Sequence, residues 1–191
     1  EFCFVSTHLP TAPEAAVRAA IETAAREHAI VVISGGEPTL NPHLLDYVRL
    51  ANRLGAASVE LQTNGTRLAQ ADLAAALAEA GLHGAMVSLH GSTAAISDAV
   101  TGAPGTFAAT LRAAASVREA GLRLQLNTTV TADNVAELPA LLDLVADLDP
   151  TLWSVFCLGP TGRGEARRAL CADDVEQVLW WLQDIASVVP V

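Results

Sequence analysis

The chain contains no lysine and little cysteine, and each shortage excludes a class of function. All 11 of its basic residues are arginine, so no side chain can form a Schiff base with a carbonyl substrate. Its three cysteines, Cys3, Cys157 and Cys171, are widely separated, and no two have Cys-x-x-Cys spacing. An odd number in this arrangement argues against the disulfide framework of a small secreted protein.

The chain also lacks long apolar runs and clustered positive charge. No apolar segment is long enough to span a bilayer, and the first ten residues, "EFCFVSTHLP", do not resemble a secretory signal peptide. A net charge of −10 argues against nonspecific binding to nucleic acid, which depends on clustered Lys and Arg. We therefore expect a cytoplasmic protein that binds neither membranes nor nucleic acids.

Apolar residues are abundant in this chain. They make up 51% of its 191 residues, whereas charged residues make up 17%, so the chain can bury a core and disorder is not expected. This length suits one domain over residues 1–191. Because the sequence starts without a methionine, we expect that domain to be part of a longer protein.

Short apolar runs alternate with alanine-rich amphipathic runs along the chain. Predicted N-caps are Thr11 for the first helix and Asn41 for the second, and Gly55, Gly81 and Gly121 follow helix ends. Strict alternation predicts a parallel sheet with right-handed crossovers. The predicted helices are 13–28, 42–54, 70–80, 106–120, 135–148 and 173–188, and the predicted strands are 29–34, 57–62, 84–89, 123–130 and 152–158.

Polar residues and glycines gather at the carboxyl ends of these strands, where parallel α/β folds bind their ligands. The segments are "SGGEPTL" (34–40), "QTNGT" (62–66), "SLHGS" (88–92), "LNTTV" (126–130) and "FCLGPTGRG" (156–164). Gly35 and Gly36 allow close approach of backbone to a ligand, and Glu37 can accept hydrogen bonds from a cationic group. Pro38 fixes the turn. A tight turn with a solvated glutamate is the simpler alternative.

The motifs "GGEPTL", "TNG", "VSLHG" and "LNTTV", on successive strands and in this order, resemble those of radical S-adenosylmethionine (SAM) enzymes. The likeness covers essentially the whole chain and is strongest for the SPASM/MoaA-like subgroup, which matures cofactors and peptides. It implies a partial, TIM-like (β/α)6 barrel of parallel strands. The first family strand would precede residue 1, leaving that strand and the cluster loop incomplete.

The resemblance also implies an iron–sulfur cofactor. In this family three cysteines, spaced Cys-x-x-x-Cys-x-aromatic-Cys, hold a [4Fe–4S] cluster whose open iron binds SAM. Phe2 and Cys3 match the end of that motif, so Cys3 would be a metal ligand and Phe2 would lie against adenine. The two earlier cysteines are absent, and Cys157 and Cys171 cannot replace them at this spacing. Either the chain is a fragment, or the protein is a degenerate relative without a cluster.

Carried onto this chain, the family pattern assigns SAM contacts to most of the strand ends. The predicted contacts are Gly35, Gly36, Glu37 and Pro38 for the amino group, Thr63 and Asn64 along the cavity, Ser88 for ribose or carboxylate, Asn127 facing SAM, and the Leu158 backbone for adenine. Asn64-Gly65 could instead be a simple turn, Ser88 a loop cap and Asn127 a partner of nearby backbone. Two further residues have open roles: His90 as a substrate contact or a solvated loop histidine, and Arg163 as an anion contact or a surface arginine.

Three functions are compatible with these features. The first is a radical SAM enzyme, which uses the reduced cluster to cleave SAM and abstracts hydrogen from a small-molecule or peptide substrate, with electrons from a donor such as ferredoxin or flavodoxin. The second is a noncatalytic binding protein that keeps only the fold. The third, a TIM-type lyase or isomerase, should show a Schiff-base lysine or a phosphate loop, and the missing lysine removes its Schiff-base form.

Overall fold

The computed structural model describes residues 10–159 and 169–191, with only the backbone of Ala71. Helices and parallel strands alternate along this part of the chain. In order they are α1 (Glu14–Arg26), β1 (Ile30–Ile33), a 3₁₀ turn (Pro38–Leu40), α2 (Leu44–Arg53), β2 (Ser58–Thr63), α3 (Ala71–Glu79), β3 (Gly84–Ser88), α4 (Ala94–Thr101), α5 (Thr106–Glu119), β4 (Arg123–Val130), a 3₁₀ turn (Val135–Glu137), α6 (Leu138–Leu148), β5 (Leu152–Cys157) and α7 (Ala172–Ile185).

All five predicted strands are present, and β4 has the predicted bounds. Two predicted N-caps are wrong. Helix α1 begins after Pro13, without a side-chain cap from Thr11. Helix α2 begins after His43, because the Asn41 side chain accepts the His43 N–H at 2.9 Å and stabilises a turn before the helix.

Helix α4 was not predicted. Helix α4 has only eight residues, and apolar and polar types alternate irregularly along it, so it shows no clear helical period. Gly102 ends the helix in the left-handed conformation (φ 70°). The Asp98 side chain within α4 accepts hydrogen bonds from the backbone N–H groups of Gly105 (2.6 Å) and Phe107 (2.8 Å). Contacts with the following loop, rather than periodicity, therefore stabilise this helix.

The sheet has the strand order β1-β2-β3-β4-β5, and every neighbouring pair is parallel. With right-handed crossovers, sequential order places the connecting helices on one face of the sheet. The sheet therefore curls into a half-barrel with its helices outside. This confirms the predicted TIM-like architecture.

The two faces of the sheet differ in burial. On the helix-covered face of β4, Leu124, Leu126 and Val130 are at most 2% exposed, which confirms the alternation predicted from the sequence. On the other face Val32 is 55% exposed and Phe156 is 56% exposed. The concave face is thus left open by the described residues. No helix within residues 10–159 and 169–191 is long and apolar enough to cross a membrane.

Candidate functional site

The Glu37 carboxylate joins the loop after β1 to the loop after β2. Its Oε1 accepts hydrogen bonds from Thr39 N (3.1 Å), Thr39 Oγ1 (2.6 Å) and Thr63 Oγ1 (2.7 Å). Its Oε2 accepts the Asn64 N–H at 2.8 Å. Glu37 is therefore not a solvated loop glutamate. It holds two strand ends together, and Oε2 retains capacity for a further donor.

The two glycines before Glu37 leave open space beside the backbone. Gly35 adopts φ 131°, a conformation that L side chains rarely adopt, and a Cβ added at Gly35 or Gly36 would meet no atom within 4 Å. The backbone is consequently accessible to a ligand along this loop. The neighbouring Pro38 is buried at the start of a 3₁₀ turn.

Thr63 and Asn64 shape the end of β2 in different ways. Thr63 is 4% exposed, and its hydroxyl accepts the Gly65 N–H at 3.1 Å in addition to bonding Glu37. Asn64 is exposed, and its side-chain oxygen accepts the Thr66 N–H at 2.9 Å, which makes it an Asx turn. Asn64 thus forms a turn and its backbone N–H bonds Glu37, while its contact with SAM stays a prediction.

Ser88 and Asn127 lie side by side on the concave face, because they are register partners on β3 and β4. Ser88 Oγ donates to the Thr63 carbonyl at 3.4 Å. The Asn127 Oδ1 atom is buried and has no hydrogen-bond partner within the described part of the chain. A buried amide oxygen without a donor is costly, and such an atom on an open face is what a bound donor would satisfy.

Uncharged polar side chains continue across the concave face. The parallel register aligns Gln62 with Met86 and Met86 with Gln125, and it aligns Asn127 with Ser154. Gln62 accepts a hydrogen bond from Ser34 Oγ at 2.9 Å. The strand-end residues predicted from the sequence thus sit above a surface of amides, hydroxyls and one thioether.

A charged pair lies lower on the same face, toward the amino ends of the strands. Arg123 bonds Glu60, and Ser58 donates to the same Glu60 oxygen at 2.7 Å. The second Glu60 oxygen is buried and unpartnered within the described chain. A Cβ at Gly84 would lie 2.4 Å from that oxygen, so the absence of a side chain at Gly84 makes room for Glu60.

His90 is 4% exposed, so the solvated-loop interpretation is wrong. Its Nδ1 accepts the Thr129 N–H at 3.1 Å. Burial lowers the pKa of His90 from its ordinary value of 6.5 to about 4. The imidazole is therefore neutral at physiological pH, and Nδ1 remains an acceptor.

Asn134 connects the loop after β3 to the end of β4. Its Nδ2 donates to the carbonyls of His90 (2.8 Å) and Thr129 (3.0 Å), and its Oδ1 accepts the Thr131 N–H at 2.7 Å. Sequence reasoning missed this residue, as it missed Thr39 and the Gln62 row. The period-two pattern of β4 places Gln125 on the same face as Asn127, and this signal could have located the row.

The remaining predicted positions lie at the last strand or outside the described residues. Leu158 is 9% exposed and its N–H donates to the Val130 carbonyl at 2.9 Å, which extends the β4–β5 pairing. Cys157 and Cys171 are free thiols, and burial raises the pKa of Cys157. Phe2, Cys3 and Arg163 fall within residues 1–9 and 160–168, outside the described part of the structure.

The residues at the strand ends fit SAM as a ligand. SAM carries amino and hydroxyl donors, and two features at the strand ends suit such donors: the accessible backbone at Gly35 and Gly36 and the unpartnered Asn127 oxygen. The ligands of the iron–sulfur cluster are a separate question from the SAM contacts. Within residues 10–159 and 169–191 no three His, Cys, Asp or Glu side chains are grouped to hold a metal ion.

The chain belongs to the Radical SAM superfamily, whose family model matches residues 1–145. It is 34% identical to an AdoMet-dependent heme synthase of Oleidesulfovibrio alaskensis over 157 residues, which covers 81% of this chain and 40% of that protein. It is 38% identical to the mycofactocin maturase MftC of Mycobacterium ulcerans over 138 residues, which covers 70% of this chain and 36% of that protein.

Solved structures show the same fold. Streptococcus suis SuiB bound to S-adenosylmethionine superposes with a TM-score of 0.78 at 18% identity, over 97% of this chain and 44% of that chain. Among the curated relatives that it matches, the chain spans about two fifths of the length of the three heme synthases, from 40% to 44%. The family membership confirms the resemblance seen in the motifs.

Proposed function

We propose that residues 1–191 are the core domain of a radical SAM enzyme that modifies a small-molecule or peptide substrate. In this family a reduced [4Fe–4S] cluster and SAM together supply a 5′-deoxyadenosyl radical, which abstracts hydrogen from the substrate. Cys3 would be one cluster ligand, and an electron donor such as ferredoxin or flavodoxin would reduce the cluster. The observation that supports the proposal best is the buried, unpartnered Asn127 oxygen on β4, next to Ser88 on β3.

Each strand end would contribute a defined part of the SAM site. Glu37 holds the first two strand ends together through its bonds to Thr63 and Asn64, which keeps the Gly35–Gly36 backbone in place for the SAM amino group. Glu37 Oε2 can share in that contact. Ser88 and Asn127 would bind the ribose or the carboxylate. Phe2 and the Leu158 backbone would contact adenine.

Peptide or cofactor maturation is proposed for the whole protein from its relatives. The relatives include a PqqA peptide cyclase of Rhodopseudomonas palustris, 39% identical over 119 residues, and SuiB has also been solved with a precursor peptide. We further propose a cytoplasmic location without nucleic-acid partners. The free thiols at Cys157 and Cys171 and the net charge of −10 support it.

The noncatalytic alternative is less favoured, because curated relatives at 34% identity are enzymes. The test is SAM cleavage by the full-length protein, purified and reconstituted without oxygen. With dithionite and SAM we expect 5′-deoxyadenosine and methionine in the product mixture. Variant Asn127→Ala should form 5′-deoxyadenosine at a reduced rate at low SAM concentration. A full-length protein that holds no cluster after reconstitution and leaves SAM intact would support the binding-protein alternative.

A further inference from the structure

The carboxyl end of β4 extends beyond its pairing with β3. Strand β3 ends at Ser88, whereas β4 continues to Val130. The last backbone contact between them is the Leu89 N–H, which donates to the Asn127 carbonyl at 2.9 Å. The Thr129 backbone, which points to the same side as that of Asn127, therefore needs other partners on the side that faces β3.

Side chains from the β3 loop and the β4 loop provide those partners. The His90 imidazole accepts the Thr129 N–H at 3.1 Å, in the place of a strand carbonyl. Asn134 Nδ2 donates to the Thr129 carbonyl at 3.0 Å. Thr128 Oγ1 donates to the Leu89 carbonyl at 2.7 Å. Together these bonds set the position of the backbone that carries Asn127.

We propose that His90 is a positioning residue for the SAM site: its imidazole anchors the extended end of β4 and thereby holds the Asn127 side chain toward the concave face. The inference rests on the proposed function, because it assigns His90 an effect on SAM binding. In this role His90 acts through the Thr129 backbone, whose N–H it accepts, and not through a contact with SAM. The lowered pKa agrees with this role, since a protonated Nδ1 could not accept the Thr129 N–H.

Two substitutions test separately the hydrogen-bond acceptor of His90 and the volume of its ring. His90→Phe keeps a ring but removes the acceptor, and it leaves the Thr129 N–H buried without a partner. His90→Asn keeps an oxygen in about the place of Nδ1 but loses part of the ring volume. If the acceptor matters for SAM, His90→Phe should weaken SAM binding by about tenfold, and His90→Asn should bind within about threefold of wild type.

The experiment uses the full-length protein with its cluster reconstituted. SAM dissociation constants are measured by equilibrium dialysis, the melting temperature of each variant is recorded, and amide exchange at Thr129 is measured without SAM. Val145→Ala is the control for general destabilisation, because Val145 is buried in α6 and takes no part in the site. It should lower the melting temperature and leave the SAM dissociation constant unchanged.

The outcomes are distinct. Faster exchange at Thr129 together with weaker SAM binding in His90→Phe supports the positioning role. Unchanged SAM binding in His90→Phe overturns it, whatever happens to the melting temperature. SAM affinity that simply follows melting temperature across His90→Phe, His90→Asn and Val145→Ala also overturns it, because His90 would then be only structural. If the wild-type protein holds its cluster but does not bind SAM, the proposed function itself fails.

Discussion

At the scale of single residues, two side chains at the strand ends do different work. Glu37 accepts four hydrogen bonds from the protein, so it is needed for local structure even without a ligand. Asn127 Oδ1 accepts none within the described chain. Loss of the Glu37 carboxylate should therefore lower the free energy of unfolding, and loss of the Asn127 oxygen should mainly weaken SAM binding.

Replacing Glu37 by glutamine should lower the free energy of unfolding by about 2 kcal/mol. Hydrogen bonds to a charged group contribute about 1.5–3 kcal/mol, and the new amide would turn a donor toward the Thr39, Thr63 or Asn64 donors. Urea denaturation followed by circular dichroism measures the change. Glu79→Gln, an exposed glutamate in α3, is the matched control and should change little. Equal stability of both variants would contradict the role assigned to Glu37.

Replacing Asn127 by alanine should change the free energy of unfolding by less than about 1 kcal/mol, because its buried oxygen gives up no protein hydrogen bond. The same variant should bind SAM at least about tenfold more weakly if a SAM group donates to that oxygen. Denaturation and equilibrium dialysis on the full-length protein give the two numbers. A large loss of stability with normal SAM affinity would make Asn127 a structural residue instead.

His90 should also make stability depend on pH. Its pKa is about 4 in the folded protein and 6.5 in the ordinary, unfolded state, so the unfolded chain binds the proton more readily. Its contribution is present above pH 6.5 and is lost as pH falls toward 4. The loss approaches about 3 kcal/mol, since each pKa unit corresponds to about 1.4 kcal/mol. Between pH 7 and pH 4 the free energy of unfolding, measured by denaturation, should therefore fall less in His90→Asn than in wild type. Equal falls in both proteins would show that His90 is not the cause of the pH dependence.

At the scale of elements, the turn after β2 limits which side chains can stand beside the site. Gly65 has φ 78°, and a Cβ there would lie 2.6 Å from Val87 Cγ1 and 3.2 Å from the Ala113 Cβ. Gly55 has a similar φ of 87°, but its nearest side-chain atom would be 3.5 Å away. The two glycines thus share backbone conformation and differ in available space.

This pair gives a matched test. Gly55→Ala should cost about 1–2 kcal/mol from left-handed strain alone. Gly65→Ala should cost about 1–3 kcal/mol more, because its Cβ also overpacks against β3 and α5. Unfolding free energies from denaturant titration check the difference. Equal costs would show that Val87 and Ala113 move aside without penalty.

The elements that the sequence predicted best are those whose pattern reports burial directly. Strand β4 alternates Leu124, Leu126, Thr128 and Val130 toward the helices, and its bounds were predicted without error. Helix α4 escaped prediction because its Asp98 is held by the loop at Gly105 and Phe107. Likewise Thr63 is 26 residues from Glu37 in sequence. Contacts of this kind depend on the fold and leave no periodic signal.

At the scale of the whole molecule, sequential parallel strands leave one face of the sheet for chemistry. The helices cover the outer face, and the strand ends bring the GGEP loop, Ser88 and Asn127 to one edge. Motif order predicted this placement, since each motif follows its own strand. The precise partners of Glu37 and His90 emerged only from the three-dimensional structure. Members of the Radical SAM family use a [4Fe–4S] cluster and SAM, and the strand ends described here suit SAM.

The most direct measurement is electron paramagnetic resonance of the reconstituted full-length protein, reduced with dithionite, with and without SAM. We expect a reduced [4Fe–4S] signal whose g values shift when SAM is added, because in this family SAM binds the open iron of the cluster. The same sample should release 5′-deoxyadenosine. A well-formed cluster whose spectrum is unchanged by SAM, with no 5′-deoxyadenosine released, would contradict the central claim.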